Sequence, residues 1–585
     1  MHKNRTRKLI AVGATLSAFA ACTTAQEAEG TQLSSADTTP ELASASSALV
    51  SDTFPDANFA GLGAAFTSAE NPLMRSADWP SAGHDWAHTG WNTKETAISK
   101  ANVTNLQQVW NYSLQPATPG PMPVGTLGTA VTAGDTTYFA DTRGYVHARK
   151  LADGSAVWST AASTATPDRV FGAVIQGAPV VAGNAVYVGD SDANVIGLNR
   201  TTGAVEWARQ VDADPEALVQ GDLATYTDVW TSKNYVVFGV SSFENATTPS
   251  GDLTHRGSVA AVETGNDHQI GWQLWTTSNQ MLPAPKFGAG VGVWSSPAID
   301  PLLGVYIGTG QFYEPGSENP SRESRRDKDL SDSLLRIGNV SVFGGKLLAS
   351  RQFTANDIFS IQYEGKDWDV GTPPNLLPPI TVNNKIVLPV GVGDKEGTYR
   401  VLDRVTLQPI WSRKIAQASR FGGFQATAAF ANGLVYVAAH ETIDGQSIDS
   451  AIPPGQTATY LTTAPGVILQ QKGTRTNIKA LDVATGNVVW ETAVYGPMTY
   501  APLIVANGIL YHGALDGSIR AFDAANGTIL KQVQLGGIPT EYGLLFGNLI
   551  TAMSIAQGRL LVSSFVAVPY PDGSNLGVVA YGVSP

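Results

Sequence analysis

The strongest constraint on how this chain folds is a phrase that it repeats. Pro179-Val-Val-Ala-Gly-Asn-Ala-Val-Tyr-Val-Gly-Asp is followed by Ile196-Gly-Leu-Asn-Arg-Thr-Thr-Gly203-Ala-Val-Glu-Trp207, and the same grammar returns from Ala501 to Leu530. Each copy holds a short apolar strand, an Asn-Gly or Gly-Asn turn and a Val/Ile/Tyr strand. A glycine turn, a third strand, a closing turn and a last strand that often carries Trp complete it. Glycine supplies the positive φ of such tight turns, and β-branched residues suit half-buried strands. Four strands per unit, repeated at roughly 40 to 70 residues, predict an all-β chain folded as a β-propeller.

The closing turns count the units. Gly154 with Trp158, Gly203 with Trp207, Gly265 with Trp275 and Gly345 with Arg351 mark four. Leu407 with Trp411, Gly486 with Trp490 and Gly527 with Lys531 mark three more. An eighth begins at Met553 and runs out at Val578-Val-Ala-Tyr-Gly-Val, so its outer strand is expected from Leu106-Gln-Gln-Val-Trp110-Asn-Tyr. Such closure removes an exposed sheet edge. The expectation is an eight-bladed β-propeller over residues 79–585, with the recurrent Trp side chains serving as packing between blades.

The segments ahead of the repeats read differently. Residues 1–21 combine the basic Met1-His-Lys-Asn-Arg-Thr-Arg-Lys8 with a short apolar run, as a signal peptide does. Phe19-Ala-Ala-Cys22 resembles a bacterial lipobox, apart from Phe19 where an aliphatic is usual. This implies lipidation of Cys22 and a membrane attachment by that anchor alone; plain secretory cleavage is the alternative. Residues 22–78, rich in Ser, Ala, Thr, Glu and Pro, read as a flexible tether. An envelope location facing the periplasm follows. Cys22 is the sole cysteine, so the body is expected to have no disulfide, and without Cys-x-x-Cys-His it attaches no c-type haem.

Charge and missing motifs exclude other classes. The first 21 residues hold four basic and no acidic side chains, which leaves 33 Lys and Arg against 49 Asp and Glu, a net −16. An acidic body of that kind predicts no nucleic-acid partner. His-Glu-x-x-His, Gly-x-Ser-x-Gly and the phosphate-binding Gly-x-x-x-x-Gly-Lys-Ser/Thr are all absent.

The blade phrases, with their Ala-Leu-Asp-x-x-Thr-Gly-x-x-x-Trp variants, resemble the pyrroloquinoline quinone (PQQ) dehydrogenase propellers. The likeness covers Trp79 onward and is strongest to the polyvinyl-alcohol dehydrogenase branch, through Gly83-His84-Asp85 to Trp110 and the run from Val293 to Pro315. The resemblance implies oxidation of an alcohol substrate with PQQ and Ca²⁺, and electron transfer to a separate cytochrome c. It implies that Trp294 stacks beneath the quinone and that Glu244, in Ser241-Ser-Phe-Glu244, ligates Ca²⁺ together with Gln311. Lys395 is the implied partner of the quinone oxygens, and Ser241, Thr227 and Arg169 the implied partners of the cofactor's carboxylates. Calcium favours such hard oxygen donors, and an indole face suits stacking.

Two departures stand out. Where many relatives have vicinal cysteines the chain reads Asp252-Leu-Thr-His255-Arg256. Where the resemblance implies a general-base Asp, in the closing phrase of the fourth blade, it reads Asn339-Val-Ser341. A serine is no base near neutral pH without an activator. Asp332, or Asp329 after a register shift, is then the expected catalytic carboxylate. Asp367 and Asp369, which share a strand face, are expected to be structural or supporting. The alternative is a propeller without chemistry, acting as a binding or envelope-assembly module.

Overall fold

The chain was analysed as a computed structural model that describes residues 77–583, less 115–123, 164–173, 248–252, 278–288, 314–329, 340–342, 356, 361–364, 419–421, 443–473, 496–497, 536, 539–545, 548 and 567–575. Cys22, Arg169 and Ser341 lie outside these residues. Eight antiparallel blades follow one another around a ring. Counted from the centre outward, blade 3 is Ala224–Thr227, Asn234–Val240, Ser258–Glu263 and Ile270–Trp275. Blade 4 is Ala298–Asp300, Gly304–Gly308, Ser333–Ile337 and Leu347–Gln352. Blade 5 is Asn375–Leu376, Pro389–Gly393, Thr398–Asp403 and Pro409–Lys414, with a small hairpin at one end.

The ring closes as the sequence implies. Leu106–Ser113 pairs with Leu576–Val583 as the outer strand of blade 8, in a register that sets Leu106 against Val583. Both ends of the described chain therefore share one sheet, and neither of its two strands is left as an open edge at the seam.

Tryptophan joins blade to blade. The Trp110, Trp158, Trp411 and Trp490 indoles donate to the backbone oxygens of Leu151, Arg200, Val483 and Ala524, each in the next blade, at 2.9 to 3.0 Å. Their rings rest on the closing-turn glycines of that blade: a Cβ at Gly486 would fall 2.6 Å from Trp411, and its φ of 68° already favours glycine. Blade 3 departs from the expected spacing. Its packing residue is Trp272, which covers Gly345, whereas Trp275 lies under the Arg256 guanidinium at 4.6 Å. Among the described residues no helix is long and apolar enough to cross a membrane.

A propeller of this kind has two faces. One carries the turns between first and second and between third and fourth strands of each blade; the other carries the remaining connections. On the first face, Trp79 to Asn92 runs as a belt beneath the blades. It bonds the innermost strands of blade 1 at Thr132, blade 2 at Val181, blade 4 at Ile299 and blade 5 at Leu376. It then bonds Phe430 of blade 6 and Val505 of blade 7, and its Asn92 amide reaches the Ile555 oxygen of blade 8.

Candidate functional site

The face opposite the belt collects the buried charge. Asp367 and Asp369 come from the connection leading into blade 5, and Lys395 from the turn after that blade's second strand. The Lys395 ammonium is 3.0 Å from Asp367 Oδ1 and 2.8 Å from Asp369 Oδ2, and its backbone amide donates to the Asp369 oxygen. All three side chains are buried. Such a group stands only when its charges are paired. Burial opposes the ammonium, but the attraction of Asp367 and Asp369 outweighs it and holds Lys395 above its usual range. Burial, with Asp369 close by, pushes Asp367 up to about 8 against the pull of Lys395. Backbone geometry fixes the pair: Asp357 accepts from the amides of Lys366, Asp367 and Trp368, and Asp367 sits at a φ of 56°.

Around this group stand several of the residues that the resemblance singled out. The Trp294 ring centre is 5.5 Å from the Lys395 nitrogen. Gly371 lies directly against that indole, since a Cβ there would fall 1.6 Å from its Cη2. Only glycine admits the ring in this pose. The Gln311 backbone amide donates to Asp369 Oδ1 at 3.2 Å, while its side-chain amide donates to the Phe359 oxygen at 3.4 Å. Next to Gln311, Tyr313 accepts from the Ser242 hydroxyl at 3.3 Å and donates to the Ser242 oxygen. Burial pushes its phenol up, and the negative charges of Glu244 and Asp369 add to that. Ser241 is buried nearby, with Oγ 2.8 Å from where a Cβ of Gly292 would stand.

Glu244 is buried and its carboxylate is held by backbone. It accepts from the Thr254 amide and hydroxyl and, at 2.7 Å, from the His255 amide. Desolvation outweighs these donors and raises Glu244 to about 7. A carboxylate so desolvated gains from a cation beside it. Among the described residues no three His, Cys, Asp or Glu side chains form a metal-holding group. A cation here would therefore need mixed donors such as Glu244 and the Gln311 amide oxygen, hard oxygens of the kind calcium takes. The donor set fits.

Other expectations are corrected. Thr227 lies on the belt face, exposed, its hydroxyl donating to Asn234 across the first turn of blade 3, because it ends an innermost strand instead of beginning one. It cannot reach a cofactor beside Trp294. Ser341, which stands where the resemblance implies a base, lies outside the described residues; before it, Asn339 donates to the Asp300 oxygen at the end of an innermost strand. Asp332 does lie on the charged face, buried, its amide bonded to the Gly310 oxygen. Asp369 is the carboxylate that touches both Lys395 and the Gln311 amide. Sequence reasoning read it as structural or supporting and did not single out Tyr313 or the Thr254–His255 anchor; the Asp-Trp-Asp spacing beside Gly371 was the available signal.

An eight-bladed propeller with a buried Lys–Asp–Asp group beside a Trp ring defines a PQQ-type repeat propeller. The PQQ_2 family model, described as outer membrane protein assembly factor BamB, matches residues 87–237 and 395–541, and the chain belongs to that family. The chain is 25% identical over 552 residues to a polyvinylalcohol dehydrogenase of Sphingopyxis sp., covering 85% of this chain and 75% of that protein. It is 24% identical over 533 residues to a lanthanide-dependent methanol dehydrogenase of Methylacidiphilum fumariolicum, covering 78% and 80%. A solved quinohemoprotein alcohol dehydrogenase from Pseudomonas putida superimposes with a TM-score of 0.62 at 17% identity, over 87% of this chain and 80% of that one, and shares the fold.

Proposed function

We propose that the chain is a quinoprotein alcohol dehydrogenase of the bacterial envelope that uses PQQ and Ca²⁺ and oxidises secondary or polymeric alcohols. The observation that carries this is the buried Lys395 ammonium bridging Asp367 and Asp369 beside Trp294. The names of the relatives, alcohol dehydrogenases of several kinds, support the same class. PQQ, when bound, supplies a carbonyl carbon that accepts hydride from the alcohol. Trp294 offers that cofactor a flat face, with Ser241 and Arg169 as partners for its carboxylates. Glu244 and Gln311 supply oxygens for Ca²⁺. Asp369 takes the hydroxyl proton of the substrate, oriented through Oδ2 by Lys395 and through Oδ1 by the Gln311 amide. Lys395 also stabilises negative charge developing on an oxygen beside it. Electrons leave to a separate cytochrome c, and lipidated Cys22 holds the protein to a membrane.

The test is a spectrum and a rate. Purified protein is mixed with PQQ and CaCl₂, desalted, and examined for a stoichiometric quinone absorbance and for dye-linked oxidation of a secondary alcohol. Asp369→Asn should keep the absorbance and lose the oxidation. A parent protein that retains no quinone favours the competing reading, a binding or envelope-assembly propeller, which the description of the family model favours. For the anchor, Cys22→Ser should release the protein from salt-washed membranes; continued sedimentation would count against lipidation.

A further inference from the structure

The belt leaves one blade untouched. Among the described residues, the innermost strand of blade 3 receives no hydrogen bond from Trp79–Asn92, while blades 1, 2, 4, 5, 6, 7 and 8 each receive one or more. The reason is local. Pro80 bonds blade 2 and Trp86 bonds blade 4; between them the chain folds into a turn closed by the His84 amide on the Ser81 oxygen, with His84 at a φ of 74°. The turn lifts the backbone off blade 3.

An open strand edge facing a cavity is left behind. The Asp228–Lys233 hydrogen bond sets the alternation along the first hairpin of blade 3, and Thr225 pairs with Val236 in the position that turns its amide and carbonyl away from the second strand. Val181 opposite Val186 and Ile299 opposite Val305 occupy the same place, and the belt bonds both. In front of Thr225 lies a cavity of about 840 Å³, walled by Trp86, Tyr187, Tyr226, Ile299, Leu376 and Leu388 among others. Apolar walls together with a bare strand edge are the recognition elements of an added β-strand, in which main-chain hydrogen bonds hold the peptide and pockets take its side chains.

We propose that the chain's own segment around Asn58–Phe66 adds to blade 3 along Thr225. Seventy-six residues precede the described chain, and they join it at Ala77–Asp78, on this same face. There the Asn92 amide holds the Ala77 oxygen, and Asp78 accepts from the Gly134 amide and from Gln557. Asn58-Phe-Ala-Gly-Leu-Gly-Ala-Ala-Phe66 is an uncharged run whose Phe59, Leu62 and Phe66 are the apolar groups such a cavity takes, among small residues that let backbones approach. The ten residues from Thr67 to Ser76 span up to about 33 Å when extended. Asp78 sits at blades 8 and 1, two blades from blade 3, and the span exceeds two spacings of about 10 Å between packed sheets. Tethering also gives the segment a high effective concentration that a separate peptide lacks.

Amide hydrogen exchange on the full chain tests this. The Thr225 amide should be protected to within about tenfold of Val181 and Ile299, whose amides the belt bonds. Changing Phe59→Asp together with Leu62→Asp should speed exchange at Thr225 by about 100-fold or more and leave Val181 and Ile299 unchanged, which also shows that the variant is folded. Rapid exchange at Thr225 in the parent overturns the proposal, because the edge is then bare. Undiminished protection in the variant overturns it too, because something other than this segment covers the strand. A second pair, Phe59→Cys with Thr227→Cys in a Cys22→Ser background, should form an intramolecular disulfide in the folded protein; none forming would also count against it.

Discussion

The two faces of the propeller are built from the same strands and obey different rules. On the belt face, each blade ends in the turns that define the repeat, and the Trp-on-glycine contacts recur with indole hydrogen bonds of nearly constant length. On the opposite face the connections differ from blade to blade, and there Lys395, Asp367 and Asp369 are buried together beside Trp294, with Glu244 buried on the same face. Repetition fixes the scaffold, and irregularity carries the chemistry. A substitution on one face should therefore move a quantity that a substitution on the other leaves alone.

The sharpest separation should come from Asp369→Asn. Loss of the proton acceptor is expected to lower the oxidation rate about 10²- to 10⁴-fold, as for other general bases, with little change in the thermal midpoint. Steady-state rates with a dye acceptor, alongside a melting curve, measure both. On the belt face the signs reverse: Trp411→Ala should cost about 3 kcal/mol of stability, by emptying the space above Gly486, and leave quinone retention per folded molecule intact. If it altered retention instead, the two faces would not be independent.

Glu244→Ala is expected to abolish calcium-dependent quinone retention, with a modest shift in midpoint. It removes a desolvated carboxylate but strands the Thr254 and His255 amides. Retention equal to the parent's would remove Glu244 from the metal site.

The smallest effect is one of pH. Asp367 rises from 3.8 to about 8 on folding, chiefly through burial, so the folded state holds a proton that the unfolded chain releases. Its contribution is most favourable below pH 4 and falls as pH rises towards 8. Asp367→Asn should flatten this slope in the apoprotein and raise the midpoint relative to the parent at pH 8. A parallel pair of melting curves between pH 5 and 8 would show the idea to be wrong.

How much of this was legible in the sequence follows the same division. The blades, their number and the closing strand from Leu106 could be read because turn glycines and β-branched strands are local signals that repeat. Trp294, Glu244, Gln311 and Lys395 were legible through resemblance, and the charged face holds all four. Thr227 falls on the other face for one reason: a strand pattern does not say which end of the strand faces the site, and one turn in error moves a residue to the opposite face. The contacts of Asp369 were not legible because they run to Lys395, across a strand, and to the Gln311 amide of the preceding blade. Contacts of that range leave no periodic trace.

The seam at Leu106–Ser113 has a consequence for how the molecule is made. Its partner, Leu576–Val583, is synthesised only after seven blades lie between them. At ~5–20 residues per second, the early strand waits on the order of a minute for the late one, with its hydrogen-bonding edge unclaimed. Ring closure is thus gated by the late strand. A nascent chain can stack seven blades, yet the circle stays a crescent until Leu576–Val583 arrives, and a chain cut before Leu576 should be an open arc prone to self-association.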